Sequence, residues 1–392
     1  MSTTSDKWHF AQRLAHIEPF HVMAILARAR ELEAQGRSVV HMEIGEPDFT
    51  TPKTIINAGV AALAQGKTHY TPASGLPHLR EAISRFYADE YGRHVPAQQI
   101  VVTPGASGAL MLILAALVNP GDQVLMSDPG YPCNRHFVRL LEGEPVGVPV
   151  DDSSNYQITP ELAQQHKGQR TVAVMVASPS NPTGTLLSES QCRDLLRWVE
   201  KNDAYLIVDE IYHGLVYDTV AFTCANLSER VFVINSFSKY FNMTGWRLGW
   251  LVCPDHMTGS IEKLAQNLFL APPTISQYAA LEAFSPATRV QLEQRVEQFK
   301  QRRDYLLPEL RQLGFQIAST PQGAFYLYAN CAALTQDSFD FSQRLLEQAA
   351  VAVTPGIDFG RHRSQEHLRF AYTTGMDALA QGINNINGYI NK

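Results

Sequence analysis

Short apolar runs alternate with longer amphipathic stretches between about residues 50 and 285. Most of these runs lack the two-residue alternation of half-exposed strands, which is typical of strands covered on both faces of a sheet. They lie at residues 100–103, 123–127, 171–177, 204–208, 231–235 and 250–253. Helical patterns separate or follow them, for example at residues 108–118, 188–201 and 273–284. The alternation predicts an α/β fold with a mostly parallel sheet covered by helices.

The pattern changes after about residue 286. A long charged amphipathic stretch is followed by an apolar run, a helical stretch, a second apolar run and a terminal helix. The first four cover residues 287–313, 324–328, 339–350 and 368–372. We expect a smaller α+β domain here, completed by part of the N-terminal segment. The predicted division is an N-terminal arm with part of the small domain (residues 1–48), a large domain (49–285) and the small C-terminal domain (286–392).

The composition is that of an ordinary globular protein of 392 residues, with 45% hydrophobic and 18% charged residues. A formal net charge of −6 gives no electrostatic support for binding nucleic acid or an anionic membrane surface. The longest uninterrupted apolar stretch, residues 109–118, is too short to cross a bilayer, and no secretory signal opens the sequence. Five scattered cysteines without a C-x-x-C pair favour a reducing, cytoplasmic compartment.

Two local patterns suggest other chemistry but are incomplete. Cys133-x-x-His136 alone is a weak metal signal, so we expect no metal site. Ser236-Phe237-Ser238-Lys239 has the S-x-x-K spacing of penicillin-binding enzymes, but the S-D-N and K-T-G partners of that signature are missing. Ser236 also ends a predicted strand, whereas the signature serine begins a helix. A hydrolase of this type is kept as a remote alternative.

Polar segments follow several predicted strands, at the edge where open α/β sheets bind their ligands. The segment from Gly105 to Gly108 opens a helix, whose free N–H groups and positive dipole end favour an anion such as a phosphate. The loop SPSNPTG at residues 178–184 places Asn181 between two prolines. Asp209 follows a buried run and precedes Tyr212, and a carboxylate in that position needs a cationic partner.

Lys239 follows a further strand, and Arg247 lies eight residues later in an aromatic and apolar stretch. A lysine in a buried crevice loses its proton more easily and acts as an amine nucleophile. Each of these segments alone is more often an ordinary loop, helix cap or surface residue. Together they indicate a ligand with a phosphate, a cationic ring nitrogen, a phenolic oxygen and an aldehyde. Pyridoxal phosphate has all four groups.

With these motifs the sequence resembles the fold-type I, pyridoxal-phosphate-dependent aminotransferases of class I/II, the aspartate aminotransferase-like family. The resemblance extends from IGEPDF at residues 44–49 to HLRFAYTTG at residues 367–375. Between them SPSNPTG, VDEIY and SFSKYFNMTGWRLGW match the family in order and spacing. The resemblance implies a seven-stranded, mostly parallel sheet in a large cofactor-binding domain, beside a smaller α+β domain.

The resemblance also implies roles for residues around the cofactor ring. Lys239 corresponds to the Schiff-base lysine, and Asp209 to the carboxylate paired with the pyridine nitrogen. Tyr212 corresponds to the phenol that donates to the cofactor O3′, and Asn181 to the amide that reaches O3′ and the substrate. Tyr131, in DPGYP, corresponds to the aromatic residue stacked on the ring.

Further positions correspond to the phosphate and substrate contacts of the family. The residues that resemble the phosphate cradle are Ala106, Ser107, Ser236 and Arg247. Tyr70, in HYTPASG, corresponds to a tyrosine that reaches the phosphate of the partner subunit, which implies a homodimer with shared sites. Arg369 corresponds to the arginine that binds the substrate α-carboxylate bidentately, with the backbone of Gly45 beside it.

The predicted activity is a ping-pong transfer of an amino group from an L-amino acid to a 2-oxo acid. Lys239 would take the Cα proton as general base and return it as general acid. Two alternatives on the same site stay open: a pyridoxal-phosphate carbon–sulfur β-lyase, and a binding or regulatory protein without catalysis. The expected donor is neutral or aromatic, such as alanine, or else aspartate. Some aspartate-preferring relatives carry a lysine where this chain has Ser107-Gly108, which argues against strict aspartate specificity.

Overall fold

The structure is a computed structural model that describes residues 10–391. Twelve α-helices lie within that range: α1 (His21–Ala34), α2 (Lys53–Ala64), α3 (Pro77–Tyr91), α4 (Gly105–Leu117), α5 (Pro132–Leu140), α6 (Pro160–His166), α7 (Glu189–Lys201), α8 (Thr258–Leu268), α9 (Thr274–Leu281), α10 (Pro286–Gln312), α11 (Ser338–Ala349) and α12 (Met376–Ile390). The strands are β1 (Val40–His41), β2 (Ile100–Thr103), β3 (Gln123–Asp128), β4 (Glu144–Pro149), β5 (Thr171–Ala177), β6 (Tyr205–Asp209), β7 (Val231–Ser236), β8 (Gly249–Val252), β9 (Tyr326–Asn330), β10 (Val351–Ala352), β11 (Thr354–Pro355) and β12 (His367–Ala371).

A seven-stranded sheet forms the centre of the fold, in the order β2-β8-β7-β6-β5-β3-β4. All neighbouring strands are parallel except β8, which runs antiparallel to both β2 and β7. The sheet therefore confirms the predicted mostly parallel α/β architecture. Each of the six predicted strands is present with bounds within one residue of the prediction. Helix α4 packs on β7 and β8, and helix α7 packs on β6. In β6, Ile207 belongs to the apolar cluster that includes α4 and Leu206 to the cluster that includes α7, which explains why strands of this sheet are apolar on both faces.

The edge strand β4 was not predicted from the sequence. Its residues, EPVGVP, contain two prolines and a glycine and are mostly partly or fully exposed. Proline cannot donate a ladder hydrogen bond, so within sheets it is tolerated mainly at edges, where β4 lies. Pairing with β3 along its whole length, not local propensity, makes this segment a strand.

Two smaller sheets are built from the ends of the chain. The strands β11, β12 and β9 form an antiparallel three-stranded sheet. Strand β1 pairs in parallel with β10, so that Val40 lies opposite Val351. The N-terminal segment thus pairs with the C-terminal region through β1 and β10. The division of the chain at residues 48/49 and 285/286 stays a prediction.

The carboxyl ends of three adjacent parallel strands lie side by side at one edge of the large sheet. Ala177, at the end of β5, pairs with Asp209 at the end of β6, and Asp209 pairs with Ile234 near the end of β7. The register brings together the loops that follow β5, β6 and β7, although they are far apart in the sequence. Over residues 10–391, no helix has both the length and the apolar character needed to cross a membrane.

Candidate active site

A cavity of about 1260 Å³ opens at this edge of the sheet. Eleven of the twelve predicted site residues line it: Gly45, Ala106, Ser107, Tyr131, Asn181, Asp209, Tyr212, Ser236, Lys239, Arg247 and Arg369. Tyr70 lies outside it, with 82% of its surface exposed. The fold therefore gathers residues from nearly the whole chain at one place, and leaves Tyr70 on the surface.

The amine of Lys239 lies inside the cavity. Its Nζ donates a hydrogen bond to the carbonyl oxygen of Gly45 at 2.7 Å. No Asp or Glu oxygen of the described residues lies within 4.0 Å of it. Burial lowers the pKa of Lys239 to about 8, and the positive charges of Arg369 and Arg247 contribute to the decrease. A substantial fraction of the amine is therefore neutral near pH 8, the form that attacks a carbonyl or accepts a proton.

Asp209 presents a carboxylate to the same cavity from the end of β6. Its Oδ1 accepts a hydrogen bond from the backbone N–H of Ile211 at 3.1 Å. Within residues 10–391 it forms no ion pair, and burial raises its pKa to about 6. A carboxylate in such a place is stabilised by a cationic N–H donor. The protonated ring nitrogen of pyridoxal phosphate has this chemistry, so Asp209 fits the cofactor.

Two buried tyrosines form a hydrogen-bonded pair at the cavity wall. The hydroxyl oxygens of Tyr212 and Tyr326 are 2.9 Å apart, and their rings pack edge to face. Sequence reasoning identified Tyr212 but missed Tyr326, in the segment GAFYLY. The hydroxyl of a tyrosine in an apolar strand needs a hydrogen-bond partner, and this requirement could have identified Tyr326 from the sequence.

Arg369 projects from β12 into the cavity as a buried cation. Its Nη1 donates to Asn181 Oδ1 at 3.0 Å, and its Nη2 donates to the carbonyl of Glu43 and to Thr354 Oγ1. The guanidinium carbon lies 4.3 Å from the ring centroid of Tyr326. The residue is 3% exposed and has no carboxylate partner in the described part of the chain. The arrangement suits a ligand carboxylate, which accepts two parallel N–H bonds from arginine.

The start of α4 and the side chain of Arg247 form an anion-binding corner. Gly105 opens the helix with a φ of +72°, and a Cβ atom there would lie 2.8 Å from Arg247 Nη2. No side chain caps the helix start, which leaves backbone N–H groups near Ala106 and Ser107 for a ligand. Glycine at 105 therefore permits the close approach of helix and guanidinium, and the corner fits a phosphate.

The geometry does not support the S-x-x-K hydrolase. Ser236 Oγ accepts from the backbone N–H of Ser238 at 3.0 Å, while Lys239 Nζ contacts Gly45 instead of the serine. The nucleophile–base hydrogen bond that such an enzyme needs is therefore missing. Across residues 10–391 there is also no group of three or more His, Cys, Asp or Glu side chains that could hold a metal ion.

The unpaired lysine, the buried carboxylate and the anion corner, at the carboxyl edge of this sheet, define a site for pyridoxal phosphate. Comparison with known proteins gives the family. Residues 37–384 match the family "Aminotransferase class I and II", and the chain belongs to it. It is an aminotransferase with pyridoxal phosphate as its cofactor.

Individual relatives match over nearly their full length. A (5-formylfuran-3-yl)methyl phosphate transaminase of Methanocaldococcus jannaschii is 37% identical, covering 97% of this chain and 100% of the relative. A valine–pyruvate aminotransferase of Mycobacterium tuberculosis is 35% identical, covering 96% and 97%. The crystal structure of an aminotransferase from Mycobacterium tuberculosis superposes with a TM-score of 0.95 at 34% identity, covering 98% of this chain and 100% of that one. The predicted fold class and transaminase activity are confirmed.

Proposed function

We propose that this aminotransferase transfers the amino group of a neutral, apolar L-amino acid to a 2-oxo acid, with the residue roles predicted from the sequence. The observation that carries the proposal is the buried Lys239 amine. Among residues 10–391 no Asp or Glu oxygen lies within 4.0 Å of this amine, which shares one cavity with Asp209 and Arg369. When bound, pyridoxal phosphate supplies an electrophilic carbonyl and a ring that accepts electrons. The chain's own residues supply binding, orientation and proton transfer.

Lys239 is proposed to hold the cofactor carbonyl and to move the substrate Cα proton. A lowered pKa, of about 8, lets the amine accept that proton near neutral pH and return it afterwards. Asp209 keeps a proton on the ring nitrogen, and Tyr212 and Asn181 bind the ring oxygen. The phosphate is assigned to the anion corner, with Ala106, Ser107 and Arg247, and to Ser236, which lines the same cavity. Tyr131, which also lines the cavity, is assigned to stacking on the ring.

Arg369 is proposed to bind the α-carboxylate of the substrate, beside the backbone of Gly45. The N-terminal segment contributes titratable side chains to the cavity wall at Arg30, His41, Glu46 and Asp48, and apolar side chains at Phe20, Val22, Met23, Leu26 and Ile44. The apolar side chains favour a substrate with an apolar side chain, because contact removes apolar surface from water. The name of the valine–pyruvate aminotransferase relative agrees with a neutral donor.

We also propose a homodimer in which Tyr70 reaches the partner's site. Helix α2 exposes Val60 and Leu63, with 60% and 55% of their surfaces accessible, and Tyr70 and Leu270 are exposed nearby. His69 is tied to the start of α9 by a hydrogen bond from Thr274 Oγ1 to its carbonyl oxygen at 2.9 Å. Exposed apolar residues clustered in this way mark an interaction surface.

We further propose a cytoplasmic location. The five cysteines form no disulfide, which agrees with a reducing compartment.

The test compares Lys239→Ala with Lys263→Ala, a change of an exposed lysine in α8. We expect wild-type protein and Lys263→Ala to convert valine or leucine with pyruvate or 2-oxoglutarate, and Lys239→Ala to lose this activity. The cofactor of the wild-type protein should become fixed to residue 239 on borohydride reduction, which peptide mapping detects. Release of ammonia and pyruvate from cystathionine, with no transamination of any of twenty amino acids, would refute the proposal in favour of the β-lyase.

A further inference from the structure

A cavity of about 560 Å³ lies between the segment that ends α3 and the start of α7. Residues 219–223 and Gln322 contribute further side chains to its lining. It shares no lining residue with the catalytic cavity. Its volume lies in the range of about 300 to 1000 Å³ that is usual for pockets that bind small molecules. We refer to it as the α3–α7 cavity.

Arg93, shortly after the end of α3, supplies a positive charge to this cavity. No Asp or Glu oxygen among residues 10–391 lies within 4.0 Å of its guanidinium. Its Nε atom is buried, and within the same range of residues it has no hydrogen-bond partner. A guanidinium carries five N–H donors and stays charged in proteins, so Arg93 favours an anionic ligand that accepts hydrogen bonds.

The two carboxylates that line the cavity are paired with other arginines. Glu90 Oε1 lies 2.7 Å from Arg289 Nη2, and Glu189 Oε1 lies 2.7 Å from Arg193 Nη2. Neither carboxylate neutralises Arg93, but both place negative charge beside the cavity. A ligand with a single negative charge therefore fits better than a doubly charged one, because the second charge would be repelled by these carboxylates.

A third carboxyl group, that of Glu210, lies behind the cavity wall and does not neutralise Arg93 either. Its Oε2 accepts a hydrogen bond from Oγ1 of Thr223, a lining residue, and its Oε1 accepts one from the backbone N–H of Cys224, both at 2.7 Å. Burial raises the pKa of Glu210 to about 8, although the positive charge of Arg93 acts in the opposite direction. The group is therefore largely protonated at neutral pH, and the charge of Arg93 remains available to a ligand.

Apolar side chains form another part of the lining. The ring centroid of Phe222 lies 5.7 Å from the guanidinium carbon of Arg93. Leu186, Leu187 and Ala221 are buried and line the same cavity. A ligand whose anionic group lies on Arg93 therefore has an aromatic ring beside it and aliphatic side chains within the same cavity. An aromatic body suits both, because it packs on the ring and removes apolar surface from water.

We propose that the α3–α7 cavity binds an aromatic monocarboxylate, whose carboxylate accepts hydrogen bonds from Arg93 and whose ring packs on Phe222. A carboxylate is preferred to a phosphate because it carries one negative charge at neutral pH. The site does not depend on the proposed function, since it shares no lining residue with the catalytic cavity. An aromatic acid bound here leaves the cavity around Lys239 open to substrate, so both ligands bind at the same time.

The test uses 3-(4-bromophenyl)propanoate as the probe and its neutral amide as the matched control ligand. The acid also fits the Arg369 side of the catalytic cavity, so affinities are measured by calorimetric titration of holoenzyme that carries Arg369→Gln. We expect the acid to bind with a Kd of about 1 mM or below, and the amide to bind at least about tenfold more weakly. Crystals of the wild-type holoenzyme with the acid should show anomalous scattering from bromine in the α3–α7 cavity.

Further changes in the same Arg369→Gln protein test the role of Arg93. Arg93→Gln should weaken binding of the acid about 10- to 100-fold, the loss typical of a hydrogen bond to a charged group, and change that of the amide less than about threefold. Arg93→Lys keeps the charge but loses the planar fork, so it should retain part of the affinity. Arg197→Gln changes an exposed arginine of α7 and should leave both affinities unchanged. If Arg93→Gln fails to fold, the ratio of acid to amide affinity is measured in Arg93→Lys instead and should fall about three- to tenfold.

No binding of the acid, bromine in the catalytic cavity alone, equal binding of acid and amide, or unchanged affinity in Arg93→Gln would overturn the proposal. Tighter binding of 4-bromophenyl phosphate than of the acid would overturn the assignment of a singly charged ligand. None of these measurements depends on turnover, so a failure of the proposed transamination would leave their interpretation unchanged.

Discussion

Gly45 and Tyr326 approach so closely that a larger residue at position 45 must disturb the catalytic cavity. A Cβ atom on residue 45 would lie 1.9 Å from the Tyr326 hydroxyl oxygen and 2.9 Å from its Cζ. Tyr326 is 1% exposed and lies in β9, so its ring has no free space to enter. We predict that Gly45→Ala displaces the hydroxyl of Tyr326 and breaks its 2.9 Å hydrogen bond with Tyr212.

The size of the effect follows from the packing. Inserting a methyl group into a filled core costs about 1 to 3 kcal/mol, and a lost buried hydrogen bond adds about 1 kcal/mol. Unfolding a chain of this length as one unit has an entropy of about 0.8 kcal/mol per kelvin, so Tm should fall by about 2 to 5 °C. Because Gly45 also accepts the hydrogen bond of Lys239 and Tyr326 packs on Arg369, kcat/KM should fall about 100-fold.

Tm is measured by calorimetry with and without pyridoxal phosphate, and kcat/KM with the preferred substrate pair. Gly259→Ala is the matched control, because a Cβ atom at that position meets nothing within 4 Å. The double variant Gly45→Ala/Tyr326→Phe removes the oxygen that lies 1.9 Å from the new Cβ and should recover part of the lost Tm. Wild-type Tm and kcat/KM in Gly45→Ala would refute the close packing. A double variant less stable than the sum of the single changes would refute the role of the hydroxyl.

Three further changes test other parts of the molecule. Asp209→Asn should lower kcat about 100-fold or more. The Tm of the cofactor-free protein should stay unchanged or rise, because the change removes a buried carboxylate whose pKa is raised to about 6. A lower Tm would contradict this prediction. If the proposed homodimer forms, Val60→Lys should convert it to a monomer in light scattering, whereas Val220→Lys, also at an exposed valine, should not; a wild-type protein that is already monomeric would refute the proposed dimer. A hydrogen bond to Glu43 raises the pKa of His41 from 6.5 to about 9, so its stabilising charge is fully present below pH 6.5 and lost as pH rises through 9. His41→Gln should reduce the change in the free energy of unfolding between pH 6.5 and pH 9, measured in urea, by about 1 to 2 kcal/mol, a value discounted for the partial exposure of His41. An unchanged dependence of the unfolding free energy on pH would refute this prediction.

Most strands of the large sheet were predictable because strands buried on both faces consist of continuous runs of apolar residues. Residues 100–103 and 171–177 coincide with β2 and β5. Strand β4 has no such apolar run, because its sequence contains two prolines and a glycine, which have no preference for strands. It becomes a strand by pairing with β3, which lies in another segment of the chain. The local sequence also could not predict that β8 runs antiparallel, because the direction of this strand depends on how the connection after β7 places it between β7 and β2.

The site was predictable where chemistry is concentrated in short motifs at strand ends, as for Asp209 and Lys239. Tyr326 was missed because its significance lies in a contact between distant segments. It meets Tyr212 across 114 positions of sequence. Tyr326 does not stand in an unusual local sequence, so only the folded chain shows that its hydroxyl is paired with that of Tyr212.

The distribution of charge links the function of the site to the stability of the protein. The net charge of the chain is −6, yet the cavity contains Arg369, a buried cation with no Asp or Glu oxygen within 4.0 Å among residues 10–391. Charges are screened beyond about 8 Å at physiological ionic strength, so the distant negative surface does little for Arg369. In the proposed complex a substrate carboxylate offsets the desolvation of Arg369, whereas Lys239, whose pKa is lowered to about 8, meets the cofactor carbonyl as a neutral amine. A carboxylate bound to Arg369 therefore stabilises the folded chain in proportion to its binding, and the free-energy cost of burying this unpaired cation becomes affinity for that group.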